Sequence, residues 1–157
     1  MKREIEEQLD ATGFYVSTTV GVSMWPMLRN RRDRVIIRRV NEGETLSKFD
    51  LPLYRRPDGK YVLHRVIGVK DGYYVIRGDN TYRKERVPHE QVLGVMQEFY
   101  RGNRHVVAKS KGYQAYVRLW YILYPARFLV RNVKYVLWRI ARKLGIKTRW
   151  KPYNYDY

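Results

Sequence analysis

The sequence predicts a mainly β protein, built as a compact coiled antiparallel β-sheet domain with a short N-terminal helix and basic amphipathic helices at the C-terminus. From about Phe14 to Val107, short segments rich in β-branched and aromatic residues alternate with turn sequences, which is typical of an antiparallel meander. After about Gly112 the apolar residues recur every three or four positions, which indicates helix. We therefore expect a β domain with its helix at residues 1–108 and a basic helical extension at 109–157.

The N-terminal segment, residues 2–11, is predicted to form the short helix. Ile5 and Leu9 are spaced one helical turn apart, and Gly13 is a residue that can end the helix. The first ten residues, MKREIEEQLD, are charged rather than apolar, so we expect neither a secretory signal nor an N-terminal anchor.

The strands of the meander are predicted from their composition and from the turns between them. RVIIRRV, at 34–40, is β-branched with charges alternating through it. LPLYRR and YVLHRVIGV, each expected to form one strand, are separated by the turn sequence at 57–60, and the Asp-Gly dipeptide at 71–72 separates YVLHRVIGV from YYVIRG. VLGVMQEFY, at 92–100, is a further strand.

The C-terminal helical pattern has an aliphatic face and a basic face. We expect Pro125 to open the principal helix and Gly145 to close it. The aliphatic positions recur at three- and four-residue steps: Leu129, Val133, Val136, Ile140 and Leu144.

The charge of the chain is its most unusual property. With 157 residues it is long enough for one domain with a substantial core, and its net charge of +17 implies attraction to polyanions. Thirteen Lys and Arg but only one acidic residue lie between Arg104 and Tyr157. Residues 113–151 therefore match an interfacial segment on an anionic membrane, or else a helix that packs its apolar face on the β core and solvates its basic face. No motif of a sequence-specific nucleic-acid reader accompanies the charge, so specific nucleic-acid binding is not expected.

Several functional classes lack their motifs. The chain contains no cysteine, no P-loop, no dinucleotide-binding glycine motif and no zinc-peptidase motif, so we expect no cofactor and no metal. The longest charge-free apolar run, residues 119–126, is much shorter than the roughly 18 residues of a membrane span. We expect a cytoplasmic location, with peripheral attachment to the inner face of the membrane as a further possibility to test.

GVSMWPML, at residues 21–28, contains a serine that is either an ordinary turn residue or a nucleophile. Because a serine hydroxyl hardly ionises near neutral pH, a nucleophilic Ser23 needs a base from elsewhere in the chain. His64 is the best candidate: it lies between Val62 and Val66 on one face of a predicted strand, where partial burial would favour a neutral imidazole. For His89 and His105, in polar loop-like surroundings, a structural role is expected.

An acidic residue could orient the His64 ring and stabilise its protonated form. Two candidates follow the next strand: Asp79 in the turn Gly-Asp-Asn at 78–80, and Glu85 six residues later. Residue patterning alone leaves both open. Arg65, beside the histidine, is expected to lie on the sheet face or to pair with an acid.

The serine box at residues 21–26, the strand Leu-His-Arg-Val at 63–66 and the turn at 78–80 occur in the order found in one family. On these motifs the chain resembles the signal peptidase I and LexA-like serine peptidases, the S24/S26 superfamily. The resemblance covers residues 20–95 and leaves the C-terminal third uncovered. It implies a β fold of the signal peptidase and LexA type.

Within that superfamily the base strand carries either lysine or histidine, so the resemblance is to the histidine branch. It implies Ser23 as nucleophile, His64 as general base, and Glu85 or Asp79 as the orienting acid. The family usually has aspartate where this chain has Glu85. Many signal peptidases also place a serine hydroxyl, an oxyanion donor, at the position of Gly21, so backbone N–H groups, led by that of Ser23, would have to replace it.

The resemblance implies that residues around the nucleophile form the oxyanion and substrate groove, namely Gly21, Met24, Trp25 and Pro26. For Trp25 a core or rim position is equally compatible with the sequence. The implied activity is that of a serine endopeptidase that cleaves leader or signal-like peptides, with a partner protein as one source of a membrane anchor. The alternative is a catalytically inactive peptidase-fold module that uses its basic tail to bind membrane, nucleic acid or a protein.

Overall fold

The computed structural model describes residues 2–147, and it confirms the mainly β fold with an N-terminal helix and two C-terminal helices. The elements in chain order are α1 (Lys2–Thr12), β1 (Phe14–Thr18), β2 (Arg34–Arg39), β3 (Pro52–Arg55), β4 (Tyr61–Leu63), β5 (Arg65–Lys70), β6 (Tyr73–Arg77), β7 (Glu85–Pro88), β8 (Val92–Arg101), β9 (Arg104–Val107), α2 (Lys111–Ile122) and α3 (Tyr124–Lys143).

The strands form two antiparallel sheets. The first, curled sheet has the order β1-β2-β8-β3-β4, with β9 paired to β8. The second sheet has the order β5-β6-β7. The antiparallel pairing is therefore confirmed, but the prediction of a simple meander is wrong: the strands are divided between two sheets, and β8 lies between β2 and β3 in the first.

The prediction of one unbroken strand at YVLHRVIGV is wrong. β4 ends at Leu63 and belongs to the first sheet, whereas β5 begins at Arg65 and belongs to the second. The backbone of Val66 pairs with the loop before β3 instead of with β3 itself, since its N–H donates to the carbonyl of Asp50 at 2.9 Å. His64 thus lies at the junction where the chain passes from one sheet to the other.

Side-chain alternation survives this break and separates two apolar cores. Tyr61 and Leu63 pack against the first core, which is built from α1, the loop after β1, the first sheet and the start of α2. Val62 and Val66 contact the second core instead, together with Tyr54. The second core consists of Leu46, Tyr54, Val66, Tyr74, Ile76, Val87 and Val95.

Helix α1 precedes the strands, and α2 and α3 follow them, as predicted. In α1, Leu9 is buried in the first core, and Gly13 follows the helix with a positive φ of 76°. Pro125 stands in the first turn of α3, and Gly145 follows that helix with a φ of 72°. Among the residues that the structure describes, no helix has both the length and the apolar character that a membrane span requires.

The chain divides into two compact units between Val117 and Arg118, inside α2. The first half of α2 belongs with the β domain because Tyr113 and Val117 are buried in the first core. The last part of the predicted extension, residues 148–157, lies outside the described residues, and so does the end of the predicted interfacial segment.

Candidate active site

Ser23 lies in the long loop between β1 and β2, in a turn that apolar side chains anchor to the domain. Met24, Met27 and Leu28 are buried in the first core, whereas Trp25 is half exposed. The serine itself is partly exposed. The serine is thus part of a turn whose following residues are fixed by burial in the first core.

Gly21 has a backbone conformation that disfavours any side chain at this position. Its φ is 101°, in the region that L-residues with a side chain rarely adopt. Its N–H donates to Oδ1 of Asn30 at 2.9 Å, so this amide is engaged within the loop. A serine at position 21 would be strained in this loop.

The Gly-Asp-Asn turn after β6 contacts the serine turn directly. The backbone N–H of Asn80 donates to the carbonyl of Ser23 at 2.7 Å, and its side-chain Nδ2 donates to the carbonyl of Val22 at 3.1 Å. A Cβ atom at Gly78 would lie only 2.8 Å from the Ser23 carbonyl oxygen, so glycine is required for this approach. Two of the three motifs identified in the sequence are therefore in contact through their backbones.

His64 is buried, and its ring is held at Nδ1. That atom lies 3.1 Å from Oε1 of Glu85 and 3.4 Å from the hydroxyl of Tyr54. The tyrosine also meets the imidazole edge to face, with the ring centroids 6.4 Å apart. Among the described residues, both partners of the imidazole are at Nδ1, so Nε2 is the nitrogen with which it could accept a proton.

Sheet pairing explains why Glu85 reaches His64. Glu85 on β7 is paired with Ile76 on β6, and Ile76 is paired in turn with Val66 on β5. Directly paired residues place their side chains on the same face of a sheet. Since His64 precedes Val66 by two residues, the carboxylate and the imidazole lie on the same side of the chain.

Glu85 is also bound by an arginine from the other sheet. Arg56 follows β3, and its guanidinium donates two hydrogen bonds to the carboxylate, at 2.7 and 2.6 Å. Burial by itself would raise the pKa of Glu85, but the hydrogen bonds from His64 and Arg56 outweigh burial and lower this pKa to about 2. Glu85 is therefore a fixed negative charge next to the imidazole.

Asp79, the other candidate acid, is engaged elsewhere. Its carboxylate accepts two hydrogen bonds from Arg65, at 2.7 and 2.6 Å, and both side chains are almost fully buried. Arg65 also donates to the carbonyl of Phe49 and to the hydroxyl of Tyr113. Burial alone would lower the pKa of Arg65, but the charge of Asp79 raises it. The expected acid-pairing role of Arg65 is confirmed, and the pair joins β5 to the turn that contacts Ser23.

Tyr54 and Arg56 were not singled out from the sequence, although a signal for them exists. The turn at 57–60 sets the register of the β3–β4 hairpin, in which Tyr54 pairs with Val62. Counting in steps of two from this pair puts Arg56 and His64 on the same face. The hairpin register alone would thus have placed all three polar side chains together.

Ser23 and His64 are not joined by a hydrogen bond in the described part of the chain. In other enzymes the hydrogen bond between a nucleophile and its base often shortens only when substrate binds. Within residues 2–147, no three His, Asp or Glu side chains are arranged so that they could hold a metal ion.

The residues expected to line a substrate groove have different environments. Met24 is part of the first core and anchors the turn, whereas Trp25 is the exposed aromatic of this loop. Pro26 lines one edge of a cleft of about 270 Å³ between β8, β9 and the start of α2. Arg101 donates to the carbonyls of Pro26 and Met27 and so holds the end of the serine turn against β8.

No protein-family model matches this chain, and no curated protein matches its sequence.

Proposed function

We propose that this protein is a serine endopeptidase in which Ser23 is the nucleophile, His64 the general base and Glu85 the residue that orients the base. Its substrates would be peptides of leader or signal-like type. The observation that supports this proposal most strongly is the contact between Nδ1 of His64 and Oε1 of Glu85 at 3.1 Å. A buried imidazole with a carboxylate on one nitrogen is the arrangement that activates a serine on the other.

The proposed reaction is acyl transfer. With the proton of His64 held on Nδ1 by Glu85, Nε2 accepts the hydroxyl proton as Oγ of Ser23 attacks the peptide carbonyl. The N–H of Ser23 stabilises the oxyanion, and protonated His64 then donates its proton to the leaving amine. A water molecule, deprotonated by the same imidazole, hydrolyses the acyl-enzyme and restores the serine.

Arg56 and Tyr54 act as positioning residues in this proposal. Arg56 fixes the carboxylate of Glu85 by two hydrogen bonds. The pKa of Tyr54 is raised by burial and by the nearby charge of Glu85, so its hydroxyl stays neutral beside the ring. The imidazole is thus restrained both by hydrogen bonds and by the packing of an aromatic ring.

A serine-reactive fluorophosphonate probe tests the proposal without knowledge of the substrate. We expect covalent labelling of the wild-type protein at Ser23, and its loss in Ser23→Ala and His64→Ala. Ser17→Ala is the matched control, since Ser17 lies in β1 and its hydroxyl bonds only locally to the carbonyl of Thr18. A peptide-library cleavage assay with wild type and Ser23→Ala would then define the substrate class. If folded wild-type protein is not labelled and cleaves no peptide, the proposal is wrong.

The second candidate is a catalytically inactive peptidase-fold module that binds a partner. It is favoured by the lack of a hydrogen bond between Ser23 and His64 in the described residues. The same labelling experiment separates the two functions, because an inactive module would fold but leave Ser23 unmodified.

A further inference from the structure

Helix α3 presents an aliphatic surface to solvent. We call this surface the aliphatic stripe, and its residues are Leu129, Val133, Val136, Leu137 and Ile140. At 100° per residue these five positions fall within about 100° of arc on one side of the helix. Each side chain of the stripe is between 49% and 63% exposed, and no residue of α3 is buried. An aliphatic face of this size is unusual on the surface of a protein in water.

Cationic residues border the aliphatic stripe. Arg139 and Lys143 lie on one side of it and Lys134 lies on the other, and all three are exposed. Residues 118–147 contain eight Lys and Arg and no Asp or Glu. The surface therefore combines exposed aliphatic groups with positive charge, and residues 118–147 contain no acidic residue to neutralise that charge.

The opposite side of α3 has a different chemistry. The guanidinium of Arg142 lies 5.0 Å from the ring centre of Trp138, and Arg127 lies 3.7 Å from that of Trp120. Tyr135 is on this side as well and stacks with Trp138. The aromatic groups are thus engaged by contacts within the helical segment, whereas the side chains of the aliphatic stripe are about half exposed or more.

We infer that α3 lies flat on an anionic lipid membrane, with the aliphatic stripe in the acyl-chain boundary and the flanking cations at the lipid phosphates. Helix α3 has 20 residues and is about 30 Å long, and the stripe from 129 to 140 covers about 17 Å of that length. Anionic lipid satisfies both features at once, since it offers an apolar interior beneath a layer of negative charge.

Two other occupants fit the observations less well. A second copy of this chain would bring two segments with eight cations each together, with no acid in either to compensate them. A nucleic acid would neutralise the cations but would leave the aliphatic stripe in water. The inference does not depend on the peptidase proposal, because every residue that supports it lies in 118–147.

Flotation of the full-length protein with lipid vesicles tests the inference. We expect binding to vesicles of phosphatidylcholine and phosphatidylglycerol in a 7:3 ratio at 100 mM NaCl, and at least tenfold weaker binding to pure phosphatidylcholine or at 500 mM NaCl. The triple variant Leu129→Gln, Val133→Gln, Ile140→Gln should bind the anionic vesicles at least a hundredfold more weakly, at about a factor of five or more for each lost aliphatic group. Glutamine is a good helix former, so the helix should persist, which far-UV circular dichroism checks.

Single substitutions provide a matched comparison. Val133→Gln removes a side chain from the centre of the stripe, whereas Tyr135→Gln removes one of similar exposure from the opposite side. We expect only the first to weaken vesicle binding beyond about twofold. The inference is overturned if the wild-type protein does not float with anionic vesicles, if it binds neutral vesicles equally well, or if the triple variant binds like wild type. Binding to RNA without binding to vesicles would overturn it too, and would assign the surface to nucleic acid.

Discussion

Two arginine–carboxylate pairs adjoin His64, one through Arg65, the next residue in the chain, and the other through Glu85, which contacts the ring, and they differ in what the carboxylate contacts. In the Arg65–Asp79 pair, both side chains are about 5% exposed or less, and the carboxylate joins a strand to the turn beneath Ser23. In the Arg56–Glu85 pair, both side chains are about 20% exposed, and the carboxylate also reaches Nδ1 of His64. The hydrogen-bond distances in the two pairs are almost the same.

The comparison shows that pairing with arginine does not decide the role of a carboxylate. The arginine that binds Asp79 is Arg65, the first residue of β5, so this pair connects β5 to the turn that contacts Ser23. Glu85 binds its arginine from a different sheet and still contacts His64 through the oxygen Oε1. We therefore expect substitution of Glu85 to affect chemistry most and substitution of Asp79 to affect folding most.

The largest expected effect is that of Glu85→Gln on the reaction of Ser23. Glutamine can still donate or accept a hydrogen bond, but it does not stabilise a protonated imidazole or fix the proton on Nδ1. We expect the second-order rate of fluorophosphonate labelling to fall roughly 10³- to 10⁴-fold, as for loss of the charge in other serine–histidine sites. Glu44→Gln is the matched control, because Glu44 is also bound by an arginine, Arg38, but away from His64. Unchanged labelling of Glu85→Gln would contradict the assignment of Glu85.

Next in size is the effect of Asp79→Asn on stability. The substitution leaves the guanidinium of Arg65 buried without its counter-charge, for which we expect a loss of about 3–5 kcal/mol in the free energy of unfolding. Urea denaturation followed by tryptophan fluorescence measures this change. Asp58→Asn serves as control, since its partner Lys60 is mostly exposed and such pairs contribute at most about 1 kcal/mol. A loss for Asp79→Asn as small as for the control would show that the buried pair is not structural.

The smallest effect concerns how the free energy of unfolding depends on pH under acidic conditions. The pKa of Glu85 is lowered in the folded protein to about 2 from an ordinary value of 4.5, so its ionised form stabilises the fold above about pH 4.5. This contribution is lost as the pH falls from about 4.5 to about 2, and it amounts to about 2–3 kcal/mol. Urea denaturation at a series of fixed pH values measures this change. As the pH falls over this range, we expect the free energy of unfolding to decrease less in Glu85→Gln than in wild type, by about that amount. Parallel pH curves for the two proteins would show that Glu85 is not stabilised by its partners.

The main elements of the fold are predictable from the sequence because local patterns determine them. The Asp-Gly and Pro-Asp-Gly-Lys turns set two hairpins, and Gly13 and Gly145 end helices with positive φ as expected. The break at His64 was not predictable, since YVLHRVIGV alternates without interruption through both strands. The break depends on pairing between Val66 and Asp50, which are 16 positions apart in sequence.

By itself the sequence determined most elements of the fold, the basic helical segment and the short set of polar residues from which a site could be built, since these follow from residue type and local spacing. Only the tertiary structure decided which acid contacts His64, that Arg56 and Tyr54 join it, and that the aliphatic stripe of α3 faces solvent. The physical reason is that hydrogen bonds and burial depend on which strands pair across sheets and in which register. From the sequence, Asp79 and Glu85 are equally good candidates for the acid that contacts His64. Only Glu85 lies on a strand and a sheet face from which its carboxylate reaches the imidazole.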